Sequence, residues 1–284
     1  MTDRNAKNIP QGITLVTGGT GKVGRRVAER LESLGVTTRI ASRSATPSFD
    51  WNEPTTWNES LVGVSTAFVS YAPDLAIPGA TDTVREFVRK AVESGVKRLV
   101  LLSGRGEEEA QACERIVQES GIEWTVVRAS WFNQNFSEGE FLGMVLGGAI
   151  TLPAADIPEP FIDVNDIAAV ALAALTEDRH HGEIYEVTGP RALTFTEVAE
   201  EISRAAGREV QFIRIPQDAF AAAIVEASVS EDVAWLLKYL FETVLYGRNA
   251  RVCDGVQRAL GREPTDFSEY AARIASRGNW KIAA

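Results

Sequence analysis

Three times in the first half of this chain, a helix-spaced segment ends in glycine, passes one β-branched residue and enters an apolar strand. Val23, Val27, Leu31 and Leu34 share one helical face, and Gly35-Val36 leads into Thr37-Thr-Arg-Ile-Ala41. Val84, Phe87, Val88, Ala91 and Val92 share another, and Gly95-Val96 leads into Arg98-Leu-Val-Leu-Leu-Ser103. A helix from about Glu107 to Ser120 then gives way to Gly121-Ile122 and the strand Trp124-Thr-Val-Val-Arg128. Glycine after a helix supplies the left-handed residue that ends it. With Ile13-Thr-Leu-Val-Thr17 in front and Thr66-Ala-Phe-Val-Ser70 between, strands and helices alternate. Alternation of this kind builds βαβ units with right-handed crossovers. The expected fold is therefore α/β, a doubly wound parallel sheet.

Past about residue 145 the pattern changes. Phe161-Ile-Asp163 and Tyr185-Glu-Val-Thr188 read as short strands around a helix from Asn165 to about Thr176. After Pro190 helices dominate, over Thr194–Ala206, 217 to about 227, Ser230–Leu245 and Phe267–Ser276. The expected division is a Rossmann domain over 12–189 and a smaller, mostly helical substrate or lid domain over 190–280, packed over one edge of the sheet. The stretch up to about Pro10 and the residues after Trp280 read as loosely held tails.

Composition narrows the chemistry. The 284 residues carry 29 Lys+Arg against 39 Asp+Glu, for a net charge of −10, which speaks against nucleic acid as a partner. Only Cys113 and Cys253 are present, too few for a disulfide framework or a cysteine-based zinc site. The two histidines, His180 and His181, are adjacent in a polar stretch, read as a solvated turn. No metal site is expected. The polar start lacks a signal-peptide core, and no run of about 18 apolar residues suits a membrane. These features make the cytoplasm the expected location. Monomer and homodimer both remain open.

Thr17-Gly-Gly-Thr-Gly-Lys-Val-Gly24 joins the first strand to the first helix. In a dinucleotide-binding turn, Gly18 permits the tight bend, Gly21 lets backbone approach a pyrophosphate, and Gly24 lets helix pack on strand. Thr20, Lys22 and Val23 complete the cradle, whose N–H groups face the phosphates. A purely structural turn is the plainer alternative. NAD sites place a carboxylate at the end of the second strand; here Ser42-Arg43-Ser44 stands instead, suited to a 2′-phosphate. NADP(H) is the expected cofactor.

Ser103 and Gly104 end a strand on the cofactor side. In short-chain dehydrogenases a Tyr-x-x-x-Lys pair follows such a serine; here the next helix carries Cys113 and Glu114 with neither Tyr nor Lys. Cys113 reads as a small core residue.

The glycine turn, Ser42-Arg-Ser44, Leu101-Leu-Ser-Gly-Arg-Gly-Glu-Glu-Glu-Ala110, Arg128-Ala-Ser-Trp-Phe-Asn-Gln-Asn-Phe136, Asp163-Val-Asn-Asp-Ile-Ala168 and Gly261-Arg-Glu-Pro-Thr-Asp-Phe267 together resemble the NmrA-like atypical short-chain dehydrogenases. The similarity is to the branch of the ergot-alkaloid reductases and runs over nearly the whole chain. It implies NADP(H) held by Gly18 to Gly24 and Arg43, with Ser70, Tyr71 and Ser103 toward the nicotinamide. It also implies either a reductase of iminium groups, quinones or double bonds, or a redox sensor without turnover.

On the substrate side, Trp131, Phe132 and Asn133 form the candidate pocket loop, and Trp235 and Tyr239 a candidate roof; packing of loop and helix within their own domain is the alternative. Tyr71 is the candidate acid, or else stacks on the cofactor. Arg128 reads as an ion-pair partner, and Asp163 and Asp166 as residues that tie a loop and cap a helix. The expected activity is NADPH-dependent reduction of a small, largely apolar electrophile.

Overall fold

A computed structural model describes residues 10–154, 156–226 and 230–282. The expected tails over 1–9 and 283–284, and the end of the helix expected to reach 227, lie outside the described residues. Two compact units form, and neither is a continuous stretch of chain. One holds residues up to Ala129, Asn165–Glu186 and Gly255–Arg262; the other holds Ser130–Val164, Val187–Asp254 and the chain from Glu263 on. Residues 130–164 thus group with the second unit, ahead of the expected cut at 189, because Phe136, Phe141 and Phe161 bury themselves there.

The first unit is the doubly wound sheet. Its strands are β1 (Ile13–Thr17), β2 (Thr38–Ala41), β3 (Val64–Val69), β4 (Arg98–Gly104) and β5 (Glu123–Ala129). Their neighbours run parallel in the order β2-β1-β3-β4-β5. The helices are α1 (Gly24–Ser33), the short α2 (Trp57–Leu61), α3 (Ala80–Glu93) and α4 (Glu108–Gln118). Gly35, Gly95 and Gly121 have φ of +75°, +94° and +79°, as the helix-ending pattern requires. After the first two, Val36 N donates to Leu31 O and Val96 N to Ala91 O, both at 3.0 Å, which closes each helix before its strand. The strand order changes direction between β1 and β3, which leaves a crevice at the carboxyl ends, where ligands bind in sheets of this class.

The second unit contains α5 (Leu142–Gly147) and a two-stranded parallel sheet of β6 (Ala149–Leu152) with a later strand, Gln211–Arg214. Between them in sequence come α6 (Val164–Thr176), of which all but the first residue belongs to the first unit, and β7 (Glu183–Val187), the edge partner of β5. With α7 (Phe195–Ala206) placed, Gln211–Arg214 is β8, followed by α8 (Gln217–Glu226), α9 (Glu231–Tyr239), α10 (Gly255–Leu260) and α11 (Phe267–Ser276). Thr194 and Glu197 form a reciprocal cap at the start of α7: Glu197 N donates to Thr194 Oγ1 at 3.2 Å and Thr194 N to Glu197 Oε2 at 2.7 Å. Phe161–Asp163 does not form the expected strand; Ile162 makes one isolated bridge to Phe132. The core joins Phe136, Phe161, Phe195, Phe267 and Trp280, with edge-to-face pairs such as Phe161–Phe195 at 5.3 Å. Each such buried ring contributes about 1.5–3 kcal/mol.

Among the described residues no helix is long and apolar enough to cross a membrane.

Candidate functional site

The glycine turn has the geometry its spacing calls for. Gly18 sits at φ +60° and its carbonyl accepts from Gly21 N at 2.8 Å, closing the bend. A Cβ on Gly24 would overlap Gly18 O, so only glycine lets α1 begin this close to β1. Gly21 is exposed, with nothing but Gly18 O, at 3.1 Å, in reach of an added Cβ. Backbone there is open to a ligand. Gly19 is the unpredicted member: a Cβ there would lie 2.6 Å from Ile40 Cγ2. The first turn of α1 has no acidic residue, so its N-terminal dipole is uncancelled for an anion.

Thr17 ties this turn to the end of β3. Its Oγ1 accepts from Ser70 N at 2.7 Å and donates to Ser70 O at 3.1 Å. A Cβ on Gly18 would in turn stand 3.1 Å from Ser70 Oγ. Ser70 and Tyr71 therefore leave β3 beside the turn. The Tyr71 ring rests on Trp51 at 5.0 Å, itself packed against Trp57 and Phe87. At the end of β2, Arg43 is exposed, and Ser42 Oγ lies 3.3 Å from Ser44 Oγ.

Ser103 is buried, and its hydroxyl donates to Glu114 Oε1 at 2.6 Å. Glu114 also receives Arg128, through Nε at 2.9 Å and through a second nitrogen. Arg128 reaches Glu186 at 2.7 Å as well, so its reading as an ion-pair partner holds. With its proton given to Glu114, the Ser103 oxygen is left to accept from a ligand. Cys113 is fully buried; burial first, then the Glu114 charge, pushes its thiol up to about 12. It is a core residue, as expected.

Two acidic groups at the same edge escaped the sequence reading. Asp74, after β3, and Glu107, after β4, are hydrogen-bonded to each other. Burial raises both carboxyls, and the Asp74 charge drives Glu107 well above the usual range. An isolated Asp or Glu in a loop carries no sequence signal for such a pairing.

In the second unit, Asn133 is fully buried, and neither Oδ1 nor Nδ2 has a hydrogen-bond partner among the described residues. An amide with both halves unmet is costly unless a ligand or water completes it. Trp131 stacks on Phe141 at 6.1 Å and meets Phe241 edge-on at 5.3 Å, while Phe132 is half-buried. Trp235, 39% exposed, stacks face to face on Tyr239 at 5.2 Å. Asp163 accepts from Gln134 Nε2 at 2.8 Å and from Arg273, tying the loop after β5 as anticipated, and Asp166 accepts from Arg262 at 2.6 Å within the first unit.

His180 corrects the sequence reading. It is fully buried, its Nδ1 is 2.7 Å from Tyr185 Oη, and burial lowers its pKa. Polar neighbours in sequence concealed a side chain that packs inward. Only His181 is exposed, accepting from Trp124 N at 3.2 Å.

Residues 108–271 match the model of the NmrA-like family. The chain belongs to that family. It is 34% identical over 280 residues to the uncharacterized oxidoreductase YesF of Bacillus subtilis, covering 94% of this chain and 97% of the relative. It is 32% identical over 281 residues to the agroclavine dehydrogenase of Claviceps fusiformis, covering 91% and 96%. Among solved structures, the triphenylmethane reductase of Citrobacter sp., complexed with NADP(H), matches with a TM-score of 0.73 at 21% identity. That match covers 93% of this chain and all of the other. The shared fold is the Rossmann type anticipated.

Proposed function

We propose that this protein is an NADPH-dependent reductase of a small, largely apolar electrophile, an iminium or imine foremost and a quinone or activated alkene next. The glycine turn carries this reading: a positive-φ Gly18, an open Gly21 and a Gly24 that admits no side chain, all feeding a helix start free of acid. Names of dehydrogenase and reductase among its relatives support the same class.

The residues present fit a dinucleotide. Gly18, Thr20, Gly21, Lys22, Val23 and Gly24 would hold the pyrophosphate through backbone N–H groups. Arg43, with Ser42, would meet a 2′-phosphate by charge and fork geometry. Ser70, Tyr71, Ser103 and Gly104 would line the nicotinamide end, Ser103 as an acceptor because Glu114 takes its proton. When bound, the reduced nicotinamide supplies a hydride. Asn133, unmet by protein, would orient the electrophile, with Trp131, Phe132, Trp235 and Tyr239 as its apolar surroundings. No Tyr or Lys on α4 takes the place of the usual acid, which suits a preformed cation that needs only hydride.

The test is NADPH consumption by purified protein with iminium, quinone and activated-alkene compounds. Turnover with at least one class is expected. Tight NADPH binding with no consumption in any class would replace the reductase with a redox sensor.

A further inference from the structure

Asp74 and Glu107 stand in loops that leave the same end of neighbouring strands. β3 and β4 pair in parallel, Phe68 with Val100 and Val69 with Leu101, so both loops emerge at one edge. The glycine turn after β1 is at that edge, with Gly18 against Ser70, four residues before Asp74. Asp74 Oδ1 accepts from Ala76 N at 2.8 Å, and the Asp74 carboxyl is hydrogen-bonded to that of Glu107. Glu107 is only 6% exposed, and its carboxyl covers Gly104, where a Cβ would overlap both of its oxygens. Its Oε2 is buried and has no hydrogen-bond partner among the described residues.

A hydrogen bond between two carboxyl groups requires a proton on one of them. The surroundings keep it there. Glu109 and Glu114 add negative charge at Glu107, while Arg85 of α3 is paired with Asp82 on the surface. Like charges this close cannot both be ionised, so the pair titrates as a unit.

We propose that Asp74 and Glu107 share one proton at neutral pH, and that Glu107 is the general acid that delivers it to the substrate. This rests on the reductase reading. For an alkene conjugated to a carbonyl, hydride forms a C–H bond at the β carbon as the C=C π bond breaks. The electron pair moves onto the carbonyl oxygen as an enolate. The Glu107 O–H bond then breaks, its proton goes to the α carbon, and water returns a proton to the pair. The substrate is reduced by two electrons and the nicotinamide is oxidised by two. An iminium takes only the hydride, so the acid matters little to it.

The experiment compares the full-length protein with Glu107→Gln and Asp74→Asn, each checked for fold by circular dichroism. Infrared titration of the cofactor-free protein should show a protonated-carboxyl stretch persisting at pH 7 and missing from Glu107→Gln. With NADPH, Glu107→Gln should lose about 100-fold on activated alkenes, the scale of general acid catalysis, and at least roughly 10-fold less on iminium compounds. Asp74→Asn should move the alkaline limb of alkene turnover to lower pH, because the repelling charge is gone. No protonated-carboxyl stretch at pH 7 would overturn the shared proton. Equal losses on both substrate classes, or a Tyr71→Phe loss on alkenes with Glu107→Gln silent, would overturn Glu107 as the acid. The stretch present with NADPH consumed by no substrate would overturn the reductase reading, and the acid role with it.

Discussion

Ser103 and Glu114 are joined by a buried hydrogen bond of 2.6 Å, eleven residues apart along the chain. The bond fixes the serine hydroxyl as an acceptor toward any ligand and gives the buried Glu114 a third donor besides the two from Arg128. Glu114→Ala should cost about 3 kcal/mol in urea unfolding, since it strands a half-buried guanidinium that keeps only Glu186. Ser103→Ala should cost about 1 kcal/mol. The double variant should lose less than the two single losses combined, because both act on one network. Strict additivity would deny the coupling.

The two glycines at the heart of the turn should separate stability from binding. Gly24→Ala pushes a methyl into Gly18 O and should cost about 1–3 kcal/mol in unfolding, along with cofactor affinity. Gly21→Ala meets only Gly18 O at 3.1 Å and should leave stability within about 1 kcal/mol while weakening NADPH in calorimetry. If Gly21→Ala binds NADPH as the parent does, the open backbone at Gly21 is not where a phosphate sits.

Cofactor choice turns on Arg43. Replacing it with Asp should cost NADPH about 1.5–3 kcal/mol, roughly a 10- to 100-fold loss, and NADH much less. Equal weakening of both would remove the 2′-phosphate contact from the account.

Stability should fall on acidification through His180. Burial lowers its folded pKa below the ordinary 6.5, so below about 6.5 the unfolded chain binds the extra proton. The contribution is therefore complete above that pH and is lost as pH falls through the folded value, by at most about 1.4 kcal/mol per pH unit. The difference in unfolding free energy between the parent and His180→Gln should shrink over this window. A constant difference from pH 7.5 to pH 5 would mean that folding does not lower the His180 pKa.

The local pattern made the first unit readable. Strands β1 to β5 are short runs, and Gly35, Gly95 and Gly121 end the helices just before β2, β4 and β5, so each signal lies within a few residues. The Gly18, Gly21 and Gly24 spacing was legible for the same reason. β6 and β8 were not: each has only four residues, so the alternation of β6 spans just two buried positions, and Gln211–Arg214 is largely exposed with no alternation at all. Phe161 and Ile162 have strand-like composition yet bury in an aromatic cluster without a ladder. The Ser103–Glu114 and Asp74–Glu107 pairs depend on chain crossings that no spacing rule encodes. The inward turn of His180 depends on Tyr185 and on burial, which its polar neighbours do not announce.

Transfer of a deuterium label separates hydride donation from cofactor binding alone. Purified protein is given NADPH carrying deuterium at both C4 positions, together with a cyclic iminium or an activated alkene, and the product is weighed by mass spectrometry. One deuterium is expected on carbon in the reduced product, at a rate that Arg43→Asp lowers. Unreduced substrate, with NADPH bound tightly and its deuterium retained, would make the protein a binder of NADPH that donates no hydride.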